Sequence, residues 1–406
     1  MSSNVATLPE RTAVPVKDKR RLDFIDALRG FACVWVLLHH SFEHVPVSGT
    51  LTGLPVDLLI YFSRIGWLGV SLFLVLSGFC LYYPLVRKQG VSGVQLDLKD
   101  FTKRRARRIL PPYFAALVLF TALAWWAPAR HGAEVVGWKD VISHALMLHN
   151  LRPSTFASIN PSFWSLALEV QLYCAFPFLV WLACRRGLRA ALLVTLGAAV
   201  VVQAIAFAKY GLSREWAADM AVAYHSLPAR CFEFALGMCA AAIVVRTEAR
   251  HVRMAAWCAG LLVIPAVWFV LFISRFGPLC DTIWGVIFAS AVVLLSQIPE
   301  VRFTSRGPLR AMVWLGTVSY SVYLIHQPLL YLFTPEQIGW QIDGRLAVIG
   351  FGLARLLVVV LLGVGFYVLL ERPFILRRTD RSRFFSWLPR ARQAGGTVPQ
   401  PLQSKL

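Results

Sequence analysis

Charge is scarce in this chain: 15% of its 406 residues are Asp, Glu, Lys or Arg, while 57% are apolar. A soluble globular domain carries roughly a quarter charged residues. The balance here excludes such a domain and implies a polytopic membrane protein. Acidic residues are scarcer still, 21 against 41 Lys and Arg, which leaves a formal charge of +20. Cysteine occurs eight times but never as a C-x-x-C pair, and every copy lies in or beside an apolar run. That excludes a disulfide framework or a zinc module, and no metal site is expected. The first twenty residues hold no apolar leader core, so the first apolar segment reads as an uncleaved membrane helix. Internal repeats, a separate soluble domain and low-complexity linkers are not apparent either.

Present instead are ten apolar segments: 24–44, 62–84, 109–128, 162–183, 190–208, 229–245, 254–274, 280–297, 311–333 and 347–371. Each is near the length a bilayer requires, about 20 residues. The expected fold is therefore an all-α bundle of about ten transmembrane helices. The basic residues test this count. With both termini on one side, that side holds 31 of the 41 Lys and Arg, counting Arg29 and Arg372 at the span ends, and the opposite side, including Arg230 and Arg355 inside spans, holds 10. Lys and Arg accumulate on the cytoplasmic side, so both termini are expected there, with the protein in the cytoplasmic (inner) membrane. The positive charge is then a topology signal, and nucleic acid is not an expected partner. Residues 1–20 read as a disordered cytoplasmic arm, 21–375 as the membrane domain, and 376–406 as a basic, partly disordered tail.

The first span starts at Asp23-Phe24-Ile25-Asp26-Ala27-Leu28-Arg29-Gly30 and ends at His39-His40. Arg29 and His40 are eleven residues apart. That separation is three turns plus roughly 20°, and roughly 16 Å of rise, so both share a face, together with Asp26. Ionisable groups on lipid-spanning helices usually face a protein interior or a cavity. The span directions place His40, Glu169 and His326 in the outer half of the membrane. Ser165, Glu169 and Tyr173 share a face of the fourth span, next to Trp164, and Ser319, Tyr323 and His326 share a face of the ninth. Arg230 and Glu233 open the sixth span, and Arg355 lies in the tenth. Any one of these is as readily an interhelical tie, which is the preferred reading for Arg355. Together they suggest a polar chamber open to reaction or transport. The inner mouth of the third span carries Lys103-Arg104-Arg105-Ala106-Arg107-Arg108. Positive-inside anchoring accounts for Lys103, Arg104 and Arg107, but dense Arg at a helix entrance also suits phosphate through bidentate bonds.

Several blocks, in order, resemble the integral-membrane acyltransferase family 3, which modifies sugars and other acceptors at bacterial envelopes. They are Asp26-Ala27-Leu28-Arg29-Gly30 with His40, and Gly69-Val70-Ser71-Leu72-Phe73-Leu74-Val75-Leu76-Ser77-Gly78-Phe79. The Arg-rich block from Phe101 to Pro112 follows, then Trp164-Ser165-Leu166 with Glu169 and Tyr173, then Arg230 with Phe234 and Gly237, and finally Ser319-Tyr320 with Tyr323-Leu324 and His326. The resemblance implies acyl transfer, usually acetyl from acetyl-CoA, to a hydroxyl, with no tightly bound cofactor. The family's functional arginine and histidine fall on Arg29 and His40, with His39 a packing neighbour. Its R-x-x-R fits best on Arg105 and Arg108, ahead of Ile109-Leu110-Pro111, although Arg104 and Arg107 have the same spacing. Ser71 departs from the acidic residue that many members carry after Gly-Val.

The expected mechanism has Arg105, Arg108 and Arg29 holding CoA phosphates at the inner mouth, with the thioester presented near His40. His40 acts as general base on an acceptor hydroxyl of an envelope carbohydrate or glycolipid, or carries the acyl group itself. Glu169 orients the imidazole or the acceptor. A transporter or flippase for an envelope precursor is the alternative use of the same chamber, although such proteins often show repeats and paired broken helices. A plain scaffold bundle leaves the ionisable groups unexplained.

Overall fold

The computed structural model describes residues 22–42, 54–90, 93–126, 136–210, 218–246, 249–272, 277–299, 302–303, 307–340, 342 and 344–375. The expected N-terminal arm and C-terminal tail lie outside these residues. The described residues form helices and no strand. The main helices are α1 (Asp23–Phe42), α2 (Leu54–Arg64), α3 (Gly69–Gln89), α4 (Leu98–Trp126), α5 (Trp138–Ala145) and α6 (Phe163–Arg186). They continue with α7 (Leu188–Tyr210), α8 (Leu227–Arg246), α9 (Ala249–Phe272), α10 (Gly277–Leu295), α11 (Gly307–Leu332) and α12 (Arg345–Phe366). A π-helical turn, Tyr367–Glu371, prolongs α12.

Among the described residues, six helical segments are long and apolar enough to cross a membrane: Gly66–Gln89, Leu98–Trp126, Phe163–Arg186, Leu188–Lys209, Asp219–Arg246 and Leu346–Ile375. The protein is thus a multi-pass, helical membrane protein. Two shorter apolar helices, His251–Val263 and Asp281–Leu295, lie where the sequence suggests two further spans. α1 and α11, also read as spans from sequence, fall outside the six.

Two close helix crossings build the core, and glycine makes both possible. In the α1–α11 crossing, a Cβ at Gly30 would overlap the Met312 carbonyl, and one at Gly316 would overlap the Asp26 carbonyl. In the α3–α8 crossing, Gly78 meets the Phe234 carbonyl and Gly237 meets the Val75 carbonyl in the same reciprocal way. Lipid offers helices no hydrophobic reason to associate, so backbone contact through small residues supplies the packing. The periphery shows the inverse. Only 22% of the apolar windows of α7 and α12 is buried, against 67% for α3 and the segment containing α8. Apolar side chains there face outward from the bundle.

The expected span 62–84 is corrected to α3, preceded by the short turn Gly66–Leu68. Gly66 abuts the Trp35 carbonyl and Gly69 abuts Ala32 and Val36, so the chain turns against α1 at this point. The unexpected α2 is tied to α1 by Trp35 Nε1 donating to the Phe62 carbonyl at 2.8 Å. His39 Nδ1 lies 3.2 Å from the Ser63 carbonyl, an additional tie between these helices. α4 also starts well before the expected 109, because the arginine block from Lys103 to Arg108 is itself helical. Two of its Arg side chains therefore enter the bundle rather than fringe it.

Candidate functional site

One cavity of about 90 Å³ runs beside α3, lined from that helix by Val70, Phe73, Leu74, Leu76, Ser77 and Cys80. Ten residues of helix correspond to roughly 15 Å, so the cavity is elongated and its two ends differ. At the Cys80 end are Arg29, Arg105 and Arg108, all three lining residues and all electrostatic neighbours of the Cys80 thiol. The Arg105 guanidinium lies 5.7 Å from the Tyr173 ring centre, a cation–π contact that fixes its direction. Its buried Nε has no hydrogen-bond partner among the described residues.

The middle of the cavity is polar. Tyr173 donates a hydrogen bond to Glu169, and Ser77 Oγ lies 3.5 Å from both Glu169 Oε1 and the Tyr173 hydroxyl. Tyr320, a further lining residue, donates to the Ile109 carbonyl at 3.0 Å and so fastens α11 to α4. At the Val70 end, Phe73 and Tyr323 meet edge to face with centres 5.7 Å apart. The Tyr323 hydroxyl is 2.7 Å from Ser165 Oγ, and Ser319 completes this wall.

The imidazoles stand just past that wall. The His326 ring centre is 5.0 Å from Tyr323 and 5.2 Å from His40. His326 is fully buried, and its Nδ1 lies 2.5 Å from the Tyr323 carbonyl. In such a contact Nδ1 donates its proton to the carbonyl. Gln327 Nε2 is 3.5 Å from His40 Nδ1 and 3.0 Å from the Tyr331 hydroxyl. His40 itself does not line the cavity; Tyr323 and His326 separate them.

The polar groups expected at one level are therefore divided. Arg29, Arg105, Arg108, Glu169, Tyr173, Ser319 and Tyr323 share the cavity, whereas His40 and His326 form a layer beyond it. Glu169, placed by its span at the level of His40, sits instead within electrostatic reach of Arg108. The reason is that the α4 arginines lie seven and ten residues inside a helix starting at Leu98. Arg230 and Glu233 belong to a separate buried ion cluster. Arg230 pairs with Glu233 at 3.0 Å, with Asp281, and with Ser71 Oγ at 3.0 Å. Ser71 in turn donates to Asp281 at 2.8 Å. The acid missing at position 71 thus has a counterpart from α10, a residue the sequence reading passed over. Trp164 packs against Phe156 and His225 rather than into the cavity. Asp26 is near the arginine end without lining it. Arg355 donates to the Ser41 carbonyl at 3.3 Å, a helix tie as expected. Arg104 pairs with Asp100 on an exposed face and Arg107 is exposed, so of the two spacings Arg105 and Arg108 are the pair lining the cavity. Cys80 and Glu371 are site or near-site residues that sequence did not single out, and Ser77 and Tyr320 stood in the quoted sequence blocks without a role.

A membrane bundle enclosing an elongated cavity, lined by arginines at one end and by hydroxyls at the other, with two imidazoles just beyond the hydroxyl wall, defines a helical membrane protein with a buried polar site. A sequence profile described as an acyltransferase domain matches residues 22–368. The chain belongs to this acyltransferase family. Among its relatives is YrhL of Bacillus subtilis, provisionally named a peptidoglycan O-acetyltransferase, 28% identical over 394 residues, covering 90% of this chain and 56% of the relative. The peptidoglycan O-acetyltransferase OatA of Listeria monocytogenes is 25% identical, covering 77% of this chain and 50% of the relative. The acyltransferase MdmB of Streptomyces mycarofaciens is 25% identical over 87% of this chain and 91% of its own length. The chain thus spans about half the length of the first two relatives. No solved structure matches.

Proposed function

We propose that the protein is a membrane O-acyltransferase of the cytoplasmic (inner) membrane. It moves an acyl group, acetyl in the first instance, from cytoplasmic acyl-CoA to a hydroxyl of a cell-envelope carbohydrate or glycolipid. The names of the relatives favour peptidoglycan as the carbohydrate. The observation that carries the reading is the two-ended cavity: three arginines at one end, and at the other a hydroxyl wall backed by His326 and His40.

In this reading Arg105 and Arg108, with Arg29, bind the CoA phosphates, for which planar bidentate donors are suited. The pantetheine arm lies along α3, and the thioester reaches the Phe73–Tyr323 end. The acceptor hydroxyl enters from the opposite membrane face and meets the thioester at the Tyr323–His326 layer. His40 takes the hydroxyl proton, the alkoxide attacks the thioester carbonyl, the C–S bond breaks, and CoA leaves as thiolate. Glu169, hydrogen-bonded to Tyr173, holds the middle of the donor channel in register. The test is mass spectrometry of the envelope carbohydrate with the gene present, deleted, and restored as wild type or as His40→Ala. An acyl mass lost on deletion should return with the wild type only. An unchanged carbohydrate acyl profile on deletion would overturn the acceptor class, and full restoration by His40→Ala would overturn the base.

A further inference from the structure

Near its C-terminal end the last apolar helical segment carries a feature that acyl transfer as set out above does not use. Tyr367–Glu371 winds as a π-helical turn, and its final residue, Glu371, is 1% exposed. Such turns inside α-helices are uncommon and recur at functional sites, because the extra residue re-aims a side chain. Here the re-aimed side chain is a carboxylate. Glu371 Oε2 accepts a hydrogen bond from Ser321 Oγ of α11 at 2.5 Å. Its electrostatic partners include Arg108 and Arg29, two of the three arginines at the cationic end of the cavity. Arg108 is in turn an electrostatic partner of both Glu169 and Glu371, carboxylates carried by two different helical segments.

The protein therefore holds its own carboxylates within electrostatic range of the arginines that, in the reading above, receive the donor's phosphates. We propose that Glu371 is a positioning residue of this anion site: it neutralises Arg29 and Arg108 while the site is empty and competes with the donor for them. The inference rests on the donor site proposed above. Ser321 holds the carboxylate on the α11 side, so that it acts on the arginines through its charge at a distance and a polyanion can outcompete it.

A carboxylate that competes and one that merely braces the arginines predict opposite signs. CoA binding to the purified full-length protein in detergent distinguishes them. Glu371→Gln removes the competing charge and should tighten CoA binding by about fivefold at low salt, the scale of one partly screened charge interaction. Ser321→Ala frees the carboxylate toward the arginines and should weaken CoA binding by a few fold. Glu371→Asp keeps the charge and should stay nearer the wild type than Glu371→Gln. Weaker or unchanged CoA binding in folded Glu371→Gln overturns the proposal. If Glu371→Gln does not fold, the Ser321→Ala result decides, and unchanged or tighter binding overturns it. Arg105→Ala and Arg108→Ala keep the two readings apart. If both bind CoA normally, the donor site itself is misplaced; if they lose binding while Glu371→Gln matches the wild type, only the role of Glu371 falls.

Discussion

Arg105 offers the sharpest test of the donor end. Its guanidinium is directed by the Tyr173 ring, 5.7 Å away, and its buried Nε has no hydrogen-bond partner among the described residues. A phosphate arriving there completes that donor. Hydrogen bonds to charged groups contribute about 1.5–3 kcal/mol, so Arg105→Ala should weaken CoA binding by roughly ten- to a hundredfold. Arg105→Lys keeps the charge but loses the planar fork and the ring contact, and should fall between. Arg104→Ala is the internal control: Arg104 is exposed and already paired with Asp100, and its removal should change binding less than about twofold, as for surface ion pairs generally. Isothermal titration of CoA into the purified protein measures all three. Equal losses for Arg104→Ala and Arg105→Ala, or no loss for Arg105→Ala in folded protein, would refute the assignment.

Three further outcomes are expected. His40→Ala should abolish turnover at normal levels of folded membrane protein, whereas His39→Ala, which loses the tie to the Ser63 carbonyl, should cost about 1 kcal/mol of stability and keep turnover; comparable activity losses would remove His40 as the base. Gly237→Val forces a side chain into the Val75 carbonyl and should cost about 1–3 kcal/mol of overpacking or more, lowering the melting temperature clearly, while Gly197→Ala, with open space around it, should not; equal melts would show that the α3–α8 contact is not close. His144 and His149 stack with ring centres 3.8 Å apart and are fully buried between α4 and α6. Burial lowers His144 from 6.5 to about 4 and His149 to about 3. Both rings are neutral above about pH 6.5 whether buried or exposed, so they cost nothing there; below it the exposed form gains protons and the native packing loses stability down to the folded values. At pH 5 this amounts to about 2 kcal/mol per ring, and hydrogen exchange of residues 138–162 should rise between pH 7.5 and pH 5 after correction for intrinsic rates. Unchanged protection would refute it.

The sequence alone determined the membrane class, because apolar runs of bilayer length cannot be satisfied in water and their composition is visible without any fold. It also exposed Arg29 and His40 as one stripe, since eleven residues of a single helix fix a direction by local geometry. Glu169 with Tyr173, and Tyr323 with His326, were legible for the same reason. Which stripes face one another was not legible. Only the glycine-mediated crossings of α1 with α11 and of α3 with α8 put Tyr323 against Ser165 and set Arg230 aside with Asp281. The depth of Arg105 and Arg108 depended on where α4 begins, and charge counting reads that stretch as a loop. Glu371 was invisible for a further reason: at the end of the last apolar run it reads as a span boundary, and only the π-helical turn carries its carboxylate back to Ser321, within electrostatic range of the arginines. Periodicity along one helix is a local property of the chain, whereas contact between helices is decided by packing of the whole bundle.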